Sequence, residues 1–587
     1  MKKYDKTTLR LFKSQITRFL TLVLMLFISI SFMTGIGESQ SKIQNSLTQY
    51  YQTQNIPDFI LKNHNAIGFS QSDVTAYKEQ FGEDNVMALF SLDMENDGDV
   101  YRLYKYDLEN SNINKLQIIS GSFPQSANEI LVEQGKENLK TYRINDTVQL
   151  MGQTFTVCGI VQNPLLINKY EEPSNIQGRS LNYVLYISQH NLLPLPNTDI
   201  YISISDRNLF NHYDGAYENY IDEQTSLLEN QDITLLTLYQ NYGLYSLNEY
   251  AIKVGNIGII FSIFFMLVTV LVVFSTMTRL FDEERSQIAC LKTLGYSSMR
   301  ILGKYLLFVL LANIIGGLLA FGVGTGLTNI LYSTFNIQFV MPPSVEQVTF
   351  IRYILILVLY IVSTFVVTLA TGLNITKNKP ATLLLPKSPP VGRRTILEKI
   401  PFIWNRLSFK YKSSFRNVFL FRSRFFMTLI SIVGATVLVF AGLGLLDCAI
   451  AEGQLGSIIY ISIFLIIFAA LLSALVIYNL SNINISERRR EIATLMVLGY
   501  TNSEVVGYIF REIYIISIIA AILGIPFGVG FLYFLFNYIS FGALVTVKWW
   551  SYVLTPIATI FFTFISTLLL RRKITKTDMN ASLKSVE

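Results

Sequence analysis

The sequence predicts a polytopic α-helical membrane protein of about eight transmembrane helices in two four-helix repeats, with one α+β extracytoplasmic domain between helices 1 and 2. Three observations predict it. The 587 residues are 51% hydrophobic and only 15% charged, with positive mean hydropathy, outside the soluble globular range. Apolar runs long enough to span a bilayer lie near 17–37, 254–278, 304–332, 351–373, 424–446, 457–480, 506–534 and 549–570. The stretch Glu487 to Tyr500, ERRREIATLMVLGY, has a weaker copy in Glu283 to Tyr296, EERSQIACLKTLGY, each between two apolar runs, which marks an internal duplication.

Taken in order, the chain starts with Lys2, Lys3, Lys6, Arg10, Lys13 and Arg18 ahead of the first run. The segment from Lys377 to Arg424 is basic, with Glu398 its only acid, and Arg571, Arg572 and Lys573 follow the last run. The positive-inside rule puts all three, and both termini, in the cytoplasm of a multi-pass cell-membrane protein. Acids outnumber bases in 38–249, which is the outer domain. The apolar stretch from Phe19 to Ile36 is long for a signal peptide and no Ala-x-Ala-like site follows, so the first span reads as a retained anchor. The predicted divisions are 1–37, N-terminus and first span; 38–249, outer domain; 250–375, spans two to four; 376–423, cytosolic linker; 424–573, spans five to eight; and 574–587, cytosolic tail. Cys158, Cys290 and Cys448 show no disulfide or metal spacing.

Within the outer domain, strand-like runs fall at Asp58 to Leu61, Val86 to Leu92, Val100 to Tyr106, Glu129 to Val132, Thr147 to Leu150, Thr154 to Val161, Tyr183 to Ile187, Ile200 to Ile204 and Ile233 to Leu238. Ser72 to Phe81 and Leu209 to Leu228 read as helices, Met151-Gly152 as a tight hairpin turn, and 118–190 as a small β-rich subdomain. In the spans, Gly322 and Gly326, and Gly524 and Gly528, have the spacing of close helix packing. Arg511 and Glu512 read as a snorkelling or mutually paired couple near the inner end of span seven. Pro526 is expected to kink that span.

Each duplicated stretch reads as a short helical hairpin hung between two spans. Glu487, Arg488, Arg489, Arg490 and Glu491 cannot lie in hydrocarbon, so the helix emerges near Ser486. Ile492, Leu495, Met496 and Leu498 leave an apolar stripe, Gly499 suits the left-handed closing position, and Thr501 to Glu504 is a capping box. The first copy keeps Gly295, Tyr296 and Ser297 but has Arg300 in place of the capping glutamate. Two charged, apolar-striped knobs in matching places of two repeats suit a twofold partner.

These hairpins resemble those of the permeases of the FtsX-like, MacB and LolC group of ABC systems. So do Asn374 to Leu384, with its Pro380-Ala381-Thr382-Leu383-Leu384 exit, and Arg572 to Leu583. Similar too is the outer segment running from Gly121-Ser-Phe-Pro through Glu129 to Val132 and Asn145-Asp146 to Val157 to Val161, although Asn145 stands where glycine is expected. The resemblance implies a MacB-like outer domain and a lever pressed by a separate cytosolic ATPase, two copies per chain because both hairpins share one polypeptide. It implies that Glu283, Glu284, Arg285, Leu291, Gly295 and Tyr296 couple in the first hairpin. In the second, the coupling residues are Glu487, Arg488, Arg489, Arg490, Glu491, Leu495, Gly499, Tyr500, Thr501 and Glu504. ATP and Mg would be bound by the partner ATPase, with no cofactor in this chain. No G-x-x-x-x-G-K-[ST] occurs, and Gly295 to Lys304 has the wrong spacing. Export or extraction of an amphiphile such as a lipid, lipoprotein, peptide or antimicrobial is one implied function. The other is mechanical control of a cell-wall hydrolase or sensor by way of an extracytoplasmic protein partner. An enzyme would need clustered nucleophiles, acids or metal ligands; His64, His190 and His212 lack ligand spacing, and Asp447 stands alone at a span end. Anionic lipid of the bilayer, rather than nucleic acid, accounts for the basic linker.

Overall fold

The computed structural model describes residues 3–63, 65, 67–134, 141–191, 193–204, 207, 210–213, 215–228, 233–345, 350–385, 398, 401–420, 422–453 and 456–575. The elements before the second span are α1 (Lys3–Ser14), α2 (Ile16–Gly35), α3 (Ser39–Gln54), β1 (Phe59–Asn63), α4 (Gln71–Phe81), β2 (Val86–Asn96), β3 (Asp99–Lys105), β4 (Gln117–Gly121), β5 (Glu129–Glu133), β6 (Thr147–Leu150), β7 (Gln153–Gln162), β8 (Tyr183–Ile187), β9 (Asp199–Ile202), α5 (Gly215–Leu228) and β10 (Ile233–Thr237). Then come α6 (Tyr242–Glu283), α7 (Arg285–Thr293), α8 (Ser298–Thr334), α9 (Phe350–Thr376) and α10 (Pro380–Leu384). The last group is α11 (Pro401–Arg406), α12 (Phe409–Leu420), α13 (Arg422–Ala451), α14 (Ser457–Glu487), α15 (Arg489–Val497), α16 (Asn502–Ile539) and α17 (Trp549–Thr575). Among the described residues, 8 helices are long and apolar enough to cross a membrane, one for each predicted run. Two compact units result, one of Met1–Glu38, Val254–Leu331 and Val348–Glu587, the other of Ser39–Lys253 and Tyr332–Gln347.

The helical unit is a duplication at the level of single helix ends. α1 and α12 are both 12 residues long and α7 and α15 both 9, and each copy runs amphipathic helix, span, span, short helix, long span, span. The copies pack by exchange. α2 meets α14 through Phe32 and Phe468, with ring centroids 5.6 Å apart, and α6 meets α13 where a Cβ on Gly434 would lie 3.0 Å from Val268. Exchanging the repeats turns the first contact into the second. On the axis between them, Asn479 Nδ2 of α14 donates to Thr276 Oγ1 of α6 at 2.9 Å. This is an isologous interface closed inside one polypeptide.

Several polar side chains within the spans bond to one another, as hydrocarbon favours. Ser29 shares a hydrogen bond with Tyr360 at 2.6 Å, and Asn313 donates to Thr364 at 2.9 Å. Asp447 accepts from the Lys548 amide, Trp550 Nε1 and Ser551 Oγ at 2.9, 2.9 and 2.6 Å, fixing the start of α17. Gly524 and Gly528 pack against Thr436 and Phe440 of α13, as their spacing predicts. Gly322 and Gly326 do not: a Cβ on either would meet nothing within 4 Å, and the close approach of α8 to α2 is made instead at Gly316 and Gly324. α16 continues as helix through Pro526. Arg511 and Glu512 are not a couple. Consecutive helical positions point apart; Glu512 takes Arg488, while the Arg511 guanidinium lies 5.3 Å from the Tyr411 ring centroid.

The second unit is built on one 10-stranded mixed sheet, in the order β10-β1-β9-β2-β3-β8-β5-β7-β4, with β6 paired to β7. β3–β8 and β5–β7 are parallel and the other pairings antiparallel. The 118–190 strands therefore belong to the common sheet rather than to a separate subdomain. Long β2 joins the halves, pairing with β9 through Val86 to Leu89 and with β3 through Phe90 to Asn96. Each half has its own core, Phe59, Val74, Ile202 and Tyr217 in one and Leu103, Phe155, Val157 and Leu185 in the other. β4 is a strand absent from the prediction. α5 starts at Gly215, and Leu209, where the sequence places the start of that helix, lies outside the described residues. Met151 and Gly152 both have positive φ, the tight turn expected between β6 and β7. Asn145 has φ 75°, so asparagine fills the left-handed position where the resemblance leads one to expect glycine.

His212 is buried here between the Tyr51 and Tyr217 rings, and neither ring nitrogen has a hydrogen-bond partner. Burial first, and the Arg207 charge second, push its pKa down to about 4. The folded state then binds fewer protons than the unfolded one between about pH 4 and 6.5, so this contribution to stability is present above 6.5 and is lost as pH falls. His212→Phe keeps an aromatic ring there and removes this pH dependence. We expect the variant to gain on the wild type through that window by up to roughly 3 kcal/mol, read as the difference between their unfolding curves at pH 7.5 and 4.5.

Candidate functional site

The two short helices α7 and α15 form twin hairpins, each folding back from the end of a span and leading into the next. Both close in the same way. The Gly295 and Tyr296 amides donate to the Lys292 and Leu291 carbonyls at 3.0 and 3.1 Å, and the Gly499 and Tyr500 amides to Met496 and Leu495 at 3.1 Å each. These are Schellman closures, with Gly295 at φ 84° and Gly499 at φ 88°, where a side chain would be strained. Thr501 and Glu504 then form the predicted capping box, the Glu504 carboxylate accepting from the Thr501 amide at 3.0 Å and its hydroxyl at 2.9 Å. In the first hairpin the Ser297 hydroxyl accepts from the Arg300 amide at 3.4 Å, and the Arg300 guanidinium lies 5.5 Å from the Tyr296 ring centroid.

Four of the predicted coupling charges, Glu283, Glu284, Arg285 and Arg488, are tied to other elements of the unit. Glu283 takes a two-point bond from Arg18 of α2 at 2.7 and 2.5 Å, and Glu284 lies 3.7 Å from Lys304 of α8. Arg285 donates to the carbonyls of Thr382, Leu383 and Leu385, and Lys292 to those of Thr376 and Asn378, so the first hairpin is strapped to the Pro380 exit. Arg488 bonds Glu512 of α16 at 2.7 Å with its own side chain 11% exposed, and Glu491 stands on the surface 3.8 Å from it. The side chains of Glu487, Arg489 and Arg490 lie outside the described residues, as does the 576–583 part of the C-terminal motif.

The apolar stripe is likewise mainly internal. Ile288 and Ala289, with their counterparts Ile492 and Ala493, are fully buried, and Leu291, Leu495 and Met496 pack on the same cores. What faces outward is the tip. Leu294 is 73% exposed and Leu498 69%, flanked by exposed Met299 in one hairpin and by exposed Val497 and Tyr500 in the other. Leu294 and Leu498 are the residues that reading the stripe missed or misplaced. Each stands six positions past the buried isoleucine of its helix, which at 100° per residue carries it off the buried face, and that arithmetic would have found them.

Residues 259–380 and 463–579 each match the FtsX-like permease C-terminal family, and the starts of the two matches have the same spacing as Glu283 and Glu487. The chain carries two copies of the FtsX-like permease C-terminal domain. No curated protein matches it. FtsX-like permeases are generally non-catalytic membrane subunits that partner with ABC ATPases. Each matched stretch contains one hairpin, and among the described residues no group of three or more His, Cys, Asp or Glu is placed to hold a metal ion.

Proposed function

We propose that this permease is the membrane subunit of an ABC complex in which two copies of a cytosolic ATPase, holding ATP and Mg, seat on the two hairpin tips of one chain. Closure of the ATPase pair drives the hairpins, and the strokes pass through the spans to the 38–249 domain outside, which exports or extracts an amphiphile. The single observation that carries this reading is the matched pair of tips, each an exposed leucine beside a Schellman turn on a helix whose other face is locked into the span core. A strapped knob transmits force where a loose loop would not. Basic residues at the same ends of the spans, Arg10 and Lys13 before the first and Arg571 and Arg572 after the last, support a cytosolic position for the hairpins. The hydrogen bonds of Ser29 with Tyr360, Asn313 with Thr364 and Asn479 with Thr276 support an amphiphile over a small ion moving through a water-filled path.

Cysteine chemistry tests it. Cys290 is exposed on the first hairpin, and Thr494 is the exposed equivalent on the second. With Cys158 and Cys448 replaced by alanine, a short thiol cross-linker on Cys290, or on the thiol introduced by Thr494→Cys in a chain that also carries Cys290→Ala, should capture the ATPase from inside the cell. Labelling of both positions from outside the cell would contradict the proposed sidedness.

A further inference from the structure

The two repeats share their helix ends, yet at one place they are filled differently. In the first repeat, Phe12, Phe19 and Phe308 close against one another, with ring centroids 5.1 to 5.2 Å apart, above Leu11, Leu22 and Leu280. The same positions of the second repeat are Val418, Phe425, Glu512, Asn417, Thr428 and Asn484, and there the structure has a cavity instead of a plug. Two guanidinium groups face it. Arg488 is bonded to Glu512, which also accepts from Asn417 Nδ2 at 3.3 Å. Arg279, 5% exposed at the hairpin end of α6, reaches across from the first repeat and donates to Thr428 Oγ1 at 3.1 Å. Its own counterpart in the second repeat is the fully buried Ile483.

A charged residue this deep at a span end is costly and marks a function by default. The lining carries two positive charges against one negative, and guanidinium forks match the oxygens of a phosphate in two-point bonds. The remainder of the wall is apolar, including Phe425, Ile432 and Ile516. We propose that this cavity, formed by Arg279 of the first repeat and by α12, α13, α14 and α16 of the second, binds a phosphate-bearing anion. The group is either the headgroup of a lipid in the leaflet at the hairpin end or a soluble phosphate compound. The proposal does not depend on the ATPase reading, since every residue used lies in the span unit.

The test uses the full chain in nanodiscs of phosphatidylcholine with one part in five of phosphatidylglycerol. Lipid retained after detergent extraction is counted by native mass spectrometry, and thermal shift with inorganic phosphate forms a parallel arm. The wild type should retain phosphatidylglycerol, or be stabilised by phosphate alone if the ligand is soluble. Arg279→Ile, which installs the residue of the other repeat, should lower that occupancy by roughly tenfold at equal ligand. Asn417→Leu, which copies the plugged repeat and leaves both guanidinium groups in place, should do the same and keeps the test open if Arg279→Ile folds poorly. Neither ligand held by the wild type, or equal occupancy in well-folded variants, would overturn the proposal.

Discussion

Replacing Leu294 and Leu498 together by aspartate is expected to leave the permease folded in the membrane and to abolish stable ATPase binding. Both side chains are surface groups with no core contact to lose, so the unfolding midpoint should stay close to that of the wild type. Burying an unpaired carboxylate at the centre of an interface costs roughly 2 kcal/mol or more per site, about 30-fold in affinity. With two sites engaged by one ATPase pair the losses compound through effective concentration. The single variants should therefore weaken capture and the double variant eliminate it. Pull-down of the ATPase, read alongside the melting curve of each variant, checks this. Undiminished capture by the double variant would show that the tips are bystanders.

The second large effect concerns Arg488, a charge that the sequence assigns to docking and that the structure buries against Glu512. Arg488→Leu leaves a carboxylate at 1% exposure without its partner, and breaking a buried pair from one side typically costs about 3–5 kcal/mol. The double replacement Arg488→Leu, Glu512→Leu should recover most of that, because exchanging a whole buried pair for apolar side chains is often close to neutral. The readout is the unfolding midpoint in detergent. A strut gives a large drop in the single variant and recovery in the double. A docking charge would give no drop in stability together with a loss of ATPase binding.

The spans, the strands apart from β4, the Schellman glycines and the capping box are all legible in the sequence because each rests on short-range chemistry: an apolar run, an alternation, a left-handed position, a serine or threonine followed three residues on by an acid. β4 is not, because Gln117 to Gly121 is short and mostly exposed and takes its shape from pairing with β7. The roles of Glu283, Arg285 and Arg488 are not legible either. Their partners, Arg18, the carbonyls near Leu383 and Glu512, lie on other helices, and a charge on an isolated hairpin looks solvated until those helices are in place. The same blindness hides the cavity beside Arg279, which exists only where two repeats meet. Gly322 and Gly326 show the opposite failure, since their spacing is present but the partner helix crosses at other glycines.

α2, α6, α13 and α14 close an isologous contact within one chain. If one polypeptide already supplies both halves, the intact complex extracted from cells should contain one permease chain and two ATPase subunits. Native mass spectrometry of that complex measures the ratio. A mass corresponding to one permease and two ATPases is the predicted result, and a mass requiring two permease chains would contradict it.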